Sequence, residues 1–134
     1  AAGMEIGVHS YTHPDLRGQT LDYIVWQTLG PKQAVEAHTG QPAPFFCYPF
    51  GRYDEQVIAV VKSAHYWAGV TTHQGLLHTS ERVFEIARVR VRGSDGPAEL
   101  ALKIEYLRQI AESATPVPSL APSLRVPPTF SPYR

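Results

Sequence analysis

Apolar and polar positions along this chain fall into two alternating regimes: short apolar runs, and longer stretches with helical spacing. Residues 4–8 read as a buried strand that stops abruptly at His9. Thr20 is placed to cap a helix whose apolar positions Leu21, Ile24, Val25 and Leu29 follow a helical period. Gly30-Pro31 is expected to kink or split that helix, because an interior proline removes a backbone hydrogen bond and costs about 3 kcal/mol. The pattern resumes through Val35, and Gly40 marks the end. Residues 45–48 read as a second short strand. Asp54 can cap the next helix, with Val57, Ile58, Val61 and Ala64 facing inward. Residues 67–71 and 84–91 read as a third and a fourth strand. Pro97 suits the first position of a final helix, where Leu100, Ile104, Leu107 and Ile110 share one stripe.

Strands alternating with helices argue for the α/β class and a parallel sheet, curved or closed. Such a sheet needs its faces covered and its edges paired. From Thr115 the character changes, with Pro116, Pro118, Pro122, Pro127, Pro128 and Pro132 among serines. We expect one domain over residues 1–113 and an extended tail or linker over 114–134. Alternatively, Leu120, Leu124, Phe130 and Tyr133 strap the tail across the body.

Bulk properties narrow the function classes. A length of 134 residues bounds the chain to one domain at most. With 18% charged residues and a formal net charge of zero, nothing points to a nucleic-acid or membrane-surface partner through long-range charge. No apolar stretch approaches the roughly 20 residues that span a bilayer, and no signal peptide is expected within these residues, with one upstream left open. Cys47 is alone, so no internal disulfide forms and the redox compartment stays open.

Candidate chemistry begins where the first apolar run ends. His9 and His13 stand four apart, and neutral imidazole is the commonest metal-ligating side chain. In a helix that spacing puts Cβ atoms roughly 5–6 Å apart. Pro14, however, disfavours the helical region for His13, which places the pair on a tight turn after the strand. Two readings stand on these residues alone: a metal pair, or a strand-ending His9 with His13 packed under a loop.

The flanking residues carry a resemblance. Glu5-Ile6-Gly7-Val8-His9-Ser10-Tyr11-Thr12-His13-Pro14-Asp15-Leu16 closely resembles the second motif of the polysaccharide deacetylases, also called carbohydrate esterase family 4, whose usual form is H-[ST]-x-x-H after E-I-[GA]. Phe45-Phe46-Cys47-Tyr48-Pro49-Phe50-Gly51 looks like that family's R-x-P-[YF]-G motif in its Y-P-F-G variant. Tyr66-Trp67-Ala68-Gly69-Val70-Thr71-Thr72 and Phe84-Glu85-Ile86-Ala87-Arg88-Val89-Arg90-Val91 are weaker matches in the expected order. Together they reach from residue 3 to about residue 112.

The resemblance implies part of a distorted (β/α) barrel, and hydrolysis of N-acetyl or O-acetyl groups on a polysaccharide. It implies a divalent metal held by His9, His13 and an aspartate, with zinc foremost and cobalt or nickel as alternatives. The backbone N–H of Phe50 would meet the oxyanion, with Tyr48, Pro49, Gly51 and Trp67 in substrate binding. It further implies an extracellular or cell-envelope location.

Three departures from the family pattern matter. The family's opening T-F-D-D-G, which supplies a metal ligand and the catalytic base, is missing: Asp15, Asp22, Asp54 and Asp95 lie in other contexts. The chain is thus expected to be the C-terminal portion of a deacetylase domain without its opening strands, with little activity alone. The arginine of R-x-P-[YF]-G is replaced by Cys47; Arg88 is the candidate substitute, although Arg88, Arg90 and Arg92 also fit a solvated strand face. The closing L-x-L-H motif is not evident, and His38, His65, His73 and His78 read as surface residues. Two further possibilities follow: a non-catalytic glycan-binding remnant, or one part of a two-chain or homo-oligomeric enzyme whose second chain completes the sheet. The glycan and the metal are not fixed by these residues.

Overall fold

The computed structural model describes residues 3–114; the proline-rich segment beyond, with Leu120, Leu124, Phe130 and Tyr133, lies outside the described residues. Three strands, β1 (Phe45–Cys47), β2 (Ala68–Gln74) and β3 (Ile86–Arg88), form one parallel sheet in the order β1-β2-β3. Three helices accompany them: α1 (Leu21–Thr39), α2 (Glu55–Ser63) and α3 (Pro97–Ser113). The class is therefore α/β.

The helix boundaries follow local chemistry. Thr20 accepts a hydrogen bond from the Tyr23 N–H at the start of α1, and Gly40 closes it in the left-handed conformation at φ 65°. Asp54 caps α2 by accepting from the Val57 N–H. Pro97 occupies the first turn of α3, where Glu99 reaches back to the Gly96 N–H at 3.0 Å.

Several expectations need correction. Residues 4–7 are exposed, with Met4 at 77% and Ile6 at 46%. Only Val8 joins the sheet, by a parallel bridge to Phe46 with bonds of 2.8 Å to the Phe45 and Cys47 backbone. A strand with a partner on one side and no cover has little reason to be buried along its length. Gly30-Pro31 does not split α1, which runs unbroken through Pro31. In the same stretch of the helix, the buried Tyr66 hydroxyl donates to the Thr28 carbonyl at 2.7 Å. The anticipated α3 stripe is buried only at Leu107; Ile104 and Ile110 remain 42% and 47% exposed.

The core lies between the sheet, α1 and α2. Ile24 of α1, Val57 and Val61 of α2, and Phe46 of β1 are all fully buried with Leu16. Because the strands run parallel, the turns after Val8 and β1 and the ends of β2 and β3 come to one edge of the sheet. That carboxyl edge is where parallel α/β sheets present their ligands.

Candidate functional site

A cleft of about 480 Å³ opens at this edge, lined by His9, His13, Cys47, Phe50, Thr72 and Arg88 among others. Four segments distant in sequence meet there because each follows or ends a neighbouring strand.

The turn after Val8 carries the imidazoles. It is not helical, as Pro14 requires, and Ser10 and His13 take the left-handed conformation at φ 64° and 55°. The Ser10 hydroxyl accepts from the His13 N–H at 3.0 Å. The two rings lie edge to face, with centroids 4.8 Å apart. His9 Nδ1 lies 2.7 Å from the Cys47 carbonyl oxygen. A carbonyl only accepts, so the proton sits on Nδ1 and the Nε2 lone pair is left for a cation.

The turn after β1 carries the second element. Pro49–Gly51 makes one tight 3-10 turn, with Phe50 at φ 56° and Gly51 at φ 69°. The Phe50 carbonyl accepts from Thr72 Oγ1 at 3.2 Å, which pins the turn to β2. Among the described residues no acceptor meets the Phe50 N–H. Its ring packs edge-on against His13 at 4.4 Å, with the Arg52 guanidinium over the ring 5.4 Å from its centroid. Arg52 also pairs with Asp15 at 3.1 Å, and the Gly18 N–H donates to Asp54 at 3.0 Å, so the two turns are tied twice.

Electrostatically the cleft is basic. Burial pushes the Cys47 thiol up, and the charge of Arg88 partly offsets this. Arg88 makes no ion pair with a carboxylate among the described residues. Nor do these residues include a group of three or more His, Cys, Asp or Glu that could hold a metal. The two imidazoles fit as part of a ligand set, and the rest of that set is not among them.

The structure brings His9, His13, Phe50 and Arg88 together. Of the four residues expected to bind substrate, Tyr48 also lines this cleft, whereas Trp67 lies in another. The Tyr48 ring is buried, and its hydroxyl donates to the Phe84 carbonyl at 2.9 Å; burial raises that hydroxyl far above the usual tyrosine range. Pro49 is buried beneath the turn. Gly51 approaches Thr72 closely: a Cβ there would lie 2.0 Å from Thr72 Oγ1. Trp67 sits before β2, at the amino ends of the strands, 68% exposed beside Met4 in a different cleft. His38, His65, His73 and His78 are exposed, as expected. Sequence reasoning passed over Thr72 and Gln27. The first had a signal in the polar pair ending an apolar strand; the second had none beyond a polar residue on a helix.

In sequence and fold the chain is similar to known polysaccharide deacetylases. A family model described as polysaccharide deacetylase matches residues 1–69. YxkH, a Bacillus subtilis (strain 168) protein named for the same class, is 29% identical over 97 residues, covering 72% of this chain and 35% of YxkH. A polysaccharide deacetylase from Bacillus cereus superposes with TM-score 0.66 at 26% identity, covering 75% of this chain and 32% of that one. The Streptococcus pyogenes deacetylase PplD, solved with acetate, superposes with TM-score 0.68 at 24% identity, covering 72% and 43%. The last likeness is one of fold. The chain spans less than half the length of each.

Proposed function

The chain belongs to the polysaccharide deacetylase family, and on that premise we propose that its cleft is the two-histidine part of a metal-dependent site for removing N-acetyl or O-acetyl groups from a polysaccharide. The observation that carries this is the His9–His13 pair, 4.8 Å apart at the carboxyl edge, with His9 turned by the Cys47 carbonyl so that Nε2 is free. His9 and His13 would hold a divalent ion, zinc first, with cobalt or nickel as alternatives. When bound, such an ion polarises an acetyl carbonyl and lowers the pKa of water.

The chain's own residues do the rest of the positioning. The Phe50 N–H, without an acceptor in the described residues, is directed by its left-handed backbone to serve as an oxyanion donor. Arg88 offers the cationic group that the family's motif places where this chain has Cys47, and would orient a carboxylate. That carboxylate, which is the third ligand or the catalytic base, is not supplied by the groups lining this cleft. Turnover by this chain alone is therefore expected to be slight, and a second chain or a homo-oligomer is proposed as what completes the sheet. The three-stranded sheet is proposed as part of the family's distorted barrel, in an extracellular or cell-envelope protein. No helix among the described residues is long and apolar enough to cross a membrane.

X-ray absorption at the zinc edge of the zinc-loaded chain tests the ligand set. Two imidazole nitrogens at about 2.0–2.1 Å, completed by oxygen ligands, are expected. A shell without imidazole contradicts the reading. Acetate release from acetylated oligosaccharides by the same sample should stay near background; brisk release would show that a base has been overlooked.

A further inference from the structure

We infer that Gln27, on the buried face of α1, is the positioning residue that sets the geometry of the turn between His9 and His13. Its consequence for metal binding rests on the reading above; its geometry does not. The side chain is fully buried. Its Oε1 accepts from the Tyr11 N–H at 2.9 Å and the Thr12 N–H at 3.2 Å. Its Nε2 donates to Thr12 Oγ1 at 2.6 Å and to the Tyr23 hydroxyl at 3.1 Å. Three of those four bonds go to Tyr11 and Thr12, two of the three residues between the histidines.

The amide orientation is fixed by its partners. Reversing it would face the NH2 group with two N–H donors, so only this placement satisfies the site. Among the described residues no buried side-chain polar atom lacks a partner, Gln27 included.

The turn needs such an anchor. Ser10 and His13 both hold left-handed conformations that side-chain-bearing residues adopt at a cost, so the turn persists only where surroundings over-determine it. A second contact works in the same place. The Tyr11 ring seats over Gly30, where a Cβ would lie 2.7 Å from Tyr11 Cε2. One helix thus holds the backbone through Gln27 and receives the ring through the notch at Gly30. An apolar residue at position 27 would fill the space but take away the acceptor of the Tyr11 and Thr12 N–H groups, whose bonds to Gln27 are half-buried.

Three variants test this: Gln27→Leu, Gln27→Glu and Gly30→Ala. Each is read in two ways, by the imidazole resonances of His9 and His13 in metal-free protein and by zinc affinity against a chromophoric chelator. Gln27→Leu should shift both imidazoles while core methyl signals stay, and weaken zinc about 10- to 100-fold. Gln27→Glu keeps the two acceptor bonds and can accept from the Thr12 and Tyr23 hydroxyls, so it should stay within about threefold of the parent. Gly30→Ala should displace Tyr11 and move the same resonances; it carries the test if the leucine variant does not fold. Unmoved imidazoles in both Gln27→Leu and Gly30→Ala would overturn the inference, as would equal losses in the leucine and glutamate variants. A parent protein that takes up no zinc defeats the metal reading alone, and the resonances then decide the role of Gln27.

Discussion

His9 is held by its neighbouring strand through a backbone atom: Nδ1 stands 2.7 Å from the carbonyl oxygen of Cys47. The tautomer of His9 is therefore set by the main chain and not by the thiol. Cys47→Ala keeps that carbonyl in place, so zinc affinity should change by no more than about twofold. A loss of tenfold or more in a chelator competition would make the sulfur a ligand and displace this account.

How far this was readable from sequence depends on what each residue answers to. Thr20, Gly40 and Asp54 were legible because capping is local chemistry, decided within four residues. His9 and His13 were legible through their spacing. The inner face of α1 was legible only in part: Ile24 is buried and Val25 and Leu29 pack against the core. Apolar spacing favoured Leu21, yet Leu21 is 53% exposed and the face turned inward holds Ile24, Gln27, Thr28 and Pro31. The helix was read for greasy positions, while tertiary demand for hydrogen-bond partners on the His turn chose the orientation. Trp67 misled for the opposite reason. An aromatic near a family motif invites a sugar-stacking role, but strand direction puts it at the far end of β2.

Gly51 is constrained twice over. At φ 69° an L side chain is strained, and its Cβ would fall 2.6 Å from the Thr72 backbone nitrogen as well as against Oγ1. Gly51→Ala should cost at least about 2 kcal/mol in urea unfolding. An unchanged midpoint would mean the turn is looser than described.

Tyr66 ties the core to α1 within the turn that contains Pro31. Its hydroxyl donates to the Thr28 carbonyl from a buried position. Tyr66→Phe removes the donor but keeps the ring, and should destabilise by about 1 kcal/mol in the same measurement. No destabilisation would show that the carbonyl is satisfied without it.

Asp15 links the two turns and gives a pH signature. Hydrogen bonds from Arg17, and to a lesser extent from Arg52, hold its carboxyl far below the usual carboxylate range. A depressed folded-state value means the contribution is complete above the ordinary value of 3.8 and is lost as pH falls below it. The difference in melting temperature between the parent and Asp15→Asn should be constant from about pH 7 to 5 and narrow below about pH 4. A gap that grows on acidification would contradict this assignment.

The most direct test of the central claim is a zinc titration of the metal-free chain beside His9→Ala, His13→Ala and the double variant, by calorimetry, with oligomeric state checked for each. The account predicts near-stoichiometric uptake by the parent and a loss of at least about tenfold in affinity for each single variant, as expected when a ligand that orients the ion is removed. Affinity unchanged in the double variant, with the fold intact, would contradict it.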